Sequence, residues 1–252
     1  ITDRAKIITI GNSKGGVGKT TTSSIVAWLL AKKYRVLPID MDVQADMTSL
    51  LLDRNSSEFD TCSVYDALKA GDVRPYLVRA ASDRELYVLP GNENLALFEF
   101  NDNTDYVALK RALYSVIKEF DFIIIDTPPT LSSAVICSLM TSDFVIGMVQ
   151  THRFAVDQIE KYMQQIKEVR RYTPLKFAGM VVAMFERTKR SKEIREALID
   201  TYPSLVFKTT ILKKTRLNDM TITGLSEKRA ADRKALNEYI QLVEEIENHV
   251  SH

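Results

Sequence analysis

With 252 residues, 45% of them apolar, the chain can bury the core of one large α/β domain, 1–252, and its net charge of +1 singles out no partner class. Its two halves differ: residues 1–150 hold 15 Lys/Arg against 19 Asp/Glu and residues 151–252 hold 19 against 14, so a polyanion-facing surface is expected in the second half. Cys62 and Cys137 form no C-x-x-C or Cys/His spacing, which leaves a metal finger or disulfide framework without support and suits a reducing compartment. No run of about eighteen apolar residues and no export leader is present, so a cytoplasmic protein is expected; the start at Ile1 leaves room for an N-terminal accessory element.

The first element is the apolar run Ile7-Ile8-Thr9-Ile10, read as a buried strand. It leads into Ser13-Lys14-Gly15-Gly16-Val17-Gly18-Lys19-Thr20-Thr21, and a helix pattern begins near Thr20. A strand, a glycine-rich turn and a helix N-terminus bring backbone N–H groups to one point, where an anion replaces the missing intrahelical acceptors. Lys19 adds a point charge for outer phosphates, and the Thr20 hydroxyl is placed to ligate Mg²⁺. The strict phosphate-loop pattern has glycine where Ser13 stands, and here a second lysine, Lys14, follows it.

Lys14-Gly15-Gly16-Val17-Gly18-Lys19-Thr20-Thr21 is the deviant Walker A form, and in it the chain resembles the ParA/Soj-type partition ATPases of the ParA/MinD superfamily of P-loop NTPases. The resemblance implies that Lys14 crosses a dimer interface to the partner's phosphate. The bland alternative for any glycine-rich loop is a tight turn.

Residues 23–33 carry a broad apolar stripe suited to a helix packed on a sheet. Arg35-Val36-Leu37-Pro38-Ile39-Asp40 reads as a strand, with Pro38 marking an edge or irregularity. The following Asp40-Met41-Asp42-Val43-Gln44-Ala45-Asp46 is similar to the family's D-x-D-P-Q loop, with Val43 for the proline. A carboxylate here can reach the water that attacks a γ-phosphate or order one bound to Mg²⁺, and Asp42 is chosen for that role. Capping of the helix starting near Ala45 is the competing reading for Asp40 and Asp42, and Asp46 suits a cap or a metal shell equally.

A short helix over 63–70 closed by Gly71, an apolar patch over 73–78 and a buried strand over 86–91 come next, followed by Asn92-Glu93-Asn94-Leu95, where family members enter a long helix. Val107, Leu109, Ala112, Leu113, Val116 and Ile117 keep helical spacing and read as core. Phe122-Ile123-Ile124-Ile125-Asp126-Thr127-Pro128-Pro129 reads as a strand buried on both faces. Asp126 at its carboxyl end is the Walker B candidate for Mg²⁺, and Thr127-Pro128-Pro129 resembles the switch that senses the γ-phosphate.

Strands over 144–149 and 177–184 flank a helix with Ile159, Tyr162, Met163, Ile166 and Val169 on one face. His152, alone on its loop, reads as part of a cleft or dimer face rather than as a catalyst. The resemblance puts Met184 near the adenine. From 186 to 234 there are 13 Lys/Arg against 7 Asp/Glu. Arg187, Lys189, Arg190 and Lys192 crowd one strand-to-helix junction and Lys208, Lys213, Lys214 and Arg216 the next, so the two could face DNA phosphates together, or form an ordinary solvated face. Leu212-Lys213-Lys214-Thr215-Arg216-Leu217 matches the family's Pro-Arg-Asn-Val-Arg-Leu segment only in part. The closing helix has an acidic outer face with Glu238, Glu244, Glu245 and Glu247, the reverse of a basic membrane anchor.

The expected fold is doubly wound and α/β, a mostly parallel sheet with helices on both faces. The resemblance implies an ATPase that uses ATP and Mg²⁺, forms a homodimer on ATP binding, binds DNA non-specifically in that state and answers to a ParB-like centromere-binding partner. A MinD-like membrane-associated regulator is the alternative, disfavoured by the acidic tail. An iron-protein reductase lacks its bridging cysteines here, and a tyrosine-kinase module lacks its tyrosine-rich tail.

Overall fold

The computed structural model describes residues 4–12, 14–81, 84–99 and 104–250. Ser13, the first residue of the expected phosphate loop, and Ile1, Thr2 and Asp3 lie outside these. In chain order the strands are β1 (Lys6–Gly11), β2 (Val36–Asp40), β3 (Val78–Arg79), β4 (Tyr87–Val88), β5 (Phe122–Asp126), β6 (Phe144–Gln150), β7 (Lys176–Phe185) and β8 (Val206–Leu212). The helices are α1 (Lys19–Leu30), α2 (Asp46–Leu52), α3 (Val64–Ala70), α4 (Ala96–Glu99), α5 (Ala108–Ala112), α6 (Ser133–Thr141), α7 (Ala155–Val169), α8 (Lys189–Thr201), α9 (Thr215–Thr223) and α10 (Ala230–Val250).

Six strands form one parallel sheet in the order β2-β5-β1-β6-β7-β8, and β3 and β4 pair antiparallel beside it. The side-chain alternation of β1 and β5 divides the core. Ile8, Ile10 and Ile124 face α1 and α10, whereas Ile7, Ile123 and Ile125 face α3, α5 and α6. A third cluster packs Val145, Val149 and Val182 against Ile159, Tyr162 and Ile166 of α7. Helices cover both faces, as the doubly wound expectation requires, and β1, β2, β5 and β6 are buried along almost their whole length.

Pro38 sits in β2, at the end of the six-strand order. The outward N–H groups of Val36 and Asp40 reach Glu85 and Leu89 carbonyls, so the proline falls at the outward position between them, where a missing donor is tolerated. The strand expected over 86–91 shortens to β4, tied to β2 by single bridges at Leu86 and Leu89. α3 starts on a Ser63/Asp66 capping box and stops at Gly71, whose φ is 70°, as its sequence predicts. The helical spacing over 107–117 yields only α5 and a 3₁₀ turn, Leu113–Ser115. After Asn92 there is one 3₁₀ turn, Glu93–Leu95, and α4 rather than a long helix within the described residues.

Chain order reverses across β1. The chain crosses from β1 to β2 on one side of the sheet and continues through β6, β7 and β8 on the other. Ligands of open parallel sheets bind at such a point, outside the carboxyl ends of the strands.

Candidate active site

The loop after β1 enters α1 through Gly16 and Gly18, whose φ angles of 74° and 83° favour glycine. Gly18 is the N-cap of α1 and no side chain caps the helix, so its first N–H groups remain available to an anion. A Cβ on Gly15 would stand 3.7 Å from Pro129, and one on Gly18 would stand 3.8 Å from Met184. The loop is thus packed between the segment that follows β5 and the end of β7. Met184 has φ 51°, unusual for a residue with a side chain, and strain of that kind collects at ligand sites. Val17 is fully buried under the loop, while Thr20 and Thr21 open the helix on its half-exposed side.

Lys19 is 6% exposed, and its ammonium donates to the Lys14 carbonyl at 3.2 Å. Burial pushes its pKa down, against the pull of Asp126 and Asp42. No carboxylate stands within ion-pair distance of it among the described residues. Asp126 is its mirror image. The carboxyl is fully buried, Ser23 donates to Oδ1 at 2.9 Å, and Oδ2 has no hydrogen-bond partner among the described residues. Burial and then the neighbouring Asp40 push this carboxyl up to about 7, against the Thr20 and Ser23 hydroxyls and the Lys19 charge. A buried cation lacks an anion beside a buried carboxylate lacking a cation. A magnesium-bound triphosphate would satisfy both, so these residues fit that group, with the Thr20 hydroxyl at the same helix start.

Asp40 has structural work, which closes the alternative its sequence leaves open. Its Oδ2 accepts from both the backbone N–H and hydroxyl of Thr48, each at 2.8 Å, and Oδ1 accepts from the Asp42 N–H. The Thr48 hydroxyl also accepts from Gly91 N–H at 2.8 Å. Burial raises this carboxyl to about 6 despite those donors. Asp42, by contrast, is half-buried and closes only a local turn, through Oδ1 and the Gln44 N–H. Asp46 opens α2 as its first residue; its carboxyl is raised by burial and then by Asp42. Sequence reasoning passed over Ser23, although its spacing of four from Lys19 puts it on the same helix face.

The two basic clusters meet. Lys213 N–H donates to the Phe185 carbonyl at 3.1 Å, which sets the ends of β7 and β8 side by side. Arg187, Lys189 and Arg190 are exposed there, and among the described residues their only ion pair is a long one of 3.8 Å from Lys189 to Glu193. The others are engaged. Lys213 pairs with Glu186 at 2.8 Å, and Lys214 holds Glu238 and the carbonyls of Lys234 and Ala235. The Arg216 Nε donates to Asp232 at 2.8 Å, and Asp232 is 1% exposed. Burial alone would raise Asp232, yet hydrogen bonds from Arg216 and the Arg229 N–H outweigh it and hold it below the usual carboxylate range. Lys214 and Arg216 therefore face inward and tie β8 and α9 to α10, so the outward charge narrows to Arg187, Lys189, Arg190 and Lys213.

His152 accepts from the Phe154 N–H at 3.1 Å and meets Gln158 at 2.9 Å, closing the start of α7. No described helix is long and apolar enough to cross a membrane.

A family model described as an AAA domain matches residues 5–178. The chain is 34% identical to the sporulation initiation inhibitor protein Soj of Bacillus subtilis, over 87% of this chain and 88% of that one. It is 30% identical to the chromosome partitioning protein ParA of Myxococcus xanthus, over 87% and 79%. Among solved structures, a plasmid partition protein of Borrelia burgdorferi bound to AMPPNP superposes with a TM-score of 0.83 at 25% identity, covering 98% of this chain and all of that one. By these matches, and by the loop and carboxylate just described, the chain belongs to the ParA/Soj family of P-loop partition ATPases.

Proposed function

We propose that this protein is a DNA-partition ATPase in which binding of ATP, more than its turnover, does the work. The observation that supports it most is the complementary pair at the carboxyl ends of β1 and β5, the Lys19 ammonium without an anion and the Asp126 oxygen without a donor. In this reading Lys19 and the amides of Gly15, Gly16, Val17, Gly18, Thr20 and Thr21 hold the phosphates of ATP. Thr20 and Asp126 would hold Mg²⁺, which would supply positive charge to the phosphates. Asp42 orients the attacking water and takes its proton, since one carboxylate oxygen remains outside its turn. Met184, packed on Gly18, supports the base.

Lys14 reaches the phosphate of a second copy. Its side chain forms no ion pair among the described residues, which suits a cation that finds its anion across an interface and makes dimerisation depend on ATP. The dimer presents two copies of the Arg187, Lys189, Arg190 and Lys213 surface to DNA without base readout, and doubling a phosphate-binding surface sharply raises affinity. A ParB-like partner stimulates hydrolysis and release, and the protein works in the cytoplasm on the nucleoid. One domain then carries both the switch and the grip.

The test is DNA binding and size measured with ADP, with ATP and with a slowly hydrolysed analogue, for wild type and Lys14→Ala. Dimers and DNA binding should appear with the triphosphates alone and disappear in Lys14→Ala. A protein that stays single with saturating Mg-ATP, or binds DNA regardless of nucleotide, overturns the reading.

A further inference from the structure

Beside the last residue of β1 another buried polar group lacks a partner among the described residues. Tyr162, in the middle of α7, is 2% exposed, and its hydroxyl makes no hydrogen bond among the described residues. Its neighbours are the aliphatic side chains of the α7 cluster, so phenylalanine would fill the same space without burying an unmet hydroxyl. The ring is aimed at the last residue of β1. A Cβ on Gly11 would stand 1.9 Å from the Tyr162 oxygen and 2.9 Å from Cζ, so glycine at 11 is what lets the ring enter. The Thr127 Oγ1 lies 3.7 Å from that same point. Thr127 directly follows Asp126, is 1% exposed, and makes one long bond of 3.5 Å to the Ile10 carbonyl. Two buried hydroxyls, one unpaired and one poorly paired, thus border Gly11.

We propose that Tyr162 is a positioning residue of the nucleotide switch: its O–H donates to Thr127 Oγ1 when the segment after Asp126 closes on the γ-phosphate, coupling α7 to that closure. The inference rests on the ATP reading above. A small shift of Thr127 suffices, since both oxygens already border one point, and Thr127 keeps its own proton for the Ile10 carbonyl or a phosphate oxygen. The bond is made in one arrangement and absent in the other, so the hydroxyl contributes only to the closed form. Because α7 begins at the His152 turn on the surface, closure at the phosphate is then felt at the carboxyl edge of β6.

Three variants test this: Tyr162→Phe, Thr127→Val and the double substitution, each assayed for thermal stability without nucleotide and for affinity toward ADP and a slowly hydrolysed ATP analogue. Tyr162→Phe should melt at a higher temperature than wild type without nucleotide, bind the analogue roughly three- to tenfold more weakly, and bind ADP within about twofold of wild type. The double variant should lose no more analogue affinity than the worse single variant, because both remove one bond. An unchanged analogue-to-ADP ratio in Tyr162→Phe, or additive losses in the double variant, overturns the coupling. So does a lower melting temperature for nucleotide-free Tyr162→Phe, which would mean that the hydroxyl is already satisfied. A wild-type protein that takes up neither nucleotide overturns the ATP reading and this inference together; uptake with equal ratios overturns this inference alone.

Discussion

Two places along the carboxyl edge of the sheet carry the charge, and they treat it in opposite ways. At the ends of β1 and β5 there are few ionised groups, and they are buried and unmatched: Lys19 donates to a carbonyl, and one oxygen of Asp126 has no hydrogen-bond partner among the described residues. At the ends of β7 and β8 there are many more, yet Lys213, Lys214 and Arg216 each meet a carboxylate of the chain itself. Counting basic residues would rank the second region first. Unmet charge ranks them the other way, since an isolated buried ion is costly and persists where a ligand is to complete it, whereas a matched pair already has its structural reason.

The sharpest way to break this comparison is to remove one cation from each place. Lys19→Met should reduce ATP hydrolysis by on the order of 10²–10³-fold, the scale for losing a preorganised charge at a reacting group. It should leave the nucleotide-free protein as stable as wild type or more so, because a buried ammonium without a counter-ion is gone. Arg216→Ala should do the reverse. It leaves Asp232 with the Arg229 N–H at 3.3 Å and the Ser226 hydroxyl, and should show as a lower melting temperature with nucleotide affinity unchanged. If Lys19→Met unfolds the protein and Arg216→Ala leaves its melting point untouched, the two regions have been assigned the wrong way round.

A pH series sharpens the same contrast. Asp126 and Asp40 are raised in the folded protein to about 7 and about 6 from an ordinary 3.8. A raised carboxyl favours the folded state while protonated, so that contribution is full below about pH 4 and fades as pH rises through 6 and 7. Nucleotide-free protein should therefore melt progressively lower between pH 5 and 8, with a loss on the order of 1–3 kcal/mol. Asp126→Asn keeps the shape, removes the titration and should flatten most of that decline. An unchanged slope in Asp126→Asn would mean that solvent already reaches the carboxyl.

What could be read in the sequence, and what could not, follows from how far apart the partners are. The phosphate loop is legible because its chemistry is local: glycines, a lysine and a threonine within nine positions determine backbone and ligand together. Asp126 is legible because four large apolar residues announce the buried strand that ends on it. Asp40 is legible in part: capping of the helix near Ala45 is one of its two readings and agrees with its bond to the Thr48 N–H in that helix, but the link through Thr48 to Gly91 spans a further 43 positions. Nor does the sequence show that Arg216, expected at DNA, meets Asp232, 16 positions on. The helix expected over 107–117 fails for another reason: spacing reports which face is buried, and here α5 yields to a tighter turn that lets the Ile117 carbonyl accept the Ala5 N–H. Gly11 carries no signal without Tyr162, far along the chain in α7.

The smallest effect is expected at Lys213 and is the most discriminating for the DNA surface. Its pair with Glu186 at 2.8 Å joins side chains that are 54% and 53% exposed, and such pairs contribute only about 0–1 kcal/mol. Glu186→Gln should therefore leave the melting temperature within error. It also frees the Lys213 ammonium and removes a negative charge from the rim shared with Arg187, so triphosphate-dependent DNA binding should tighten by roughly two- to fivefold at low salt, with a salt dependence steeper by about one released ion. Arg187→Ala should weaken binding and shallow the salt dependence by a similar step. If Glu186→Gln instead weakens binding, the carboxylate is needed to hold Lys213 toward DNA, and a matched pair on this edge would be part of the grip, contrary to the distinction between met and unmet charge.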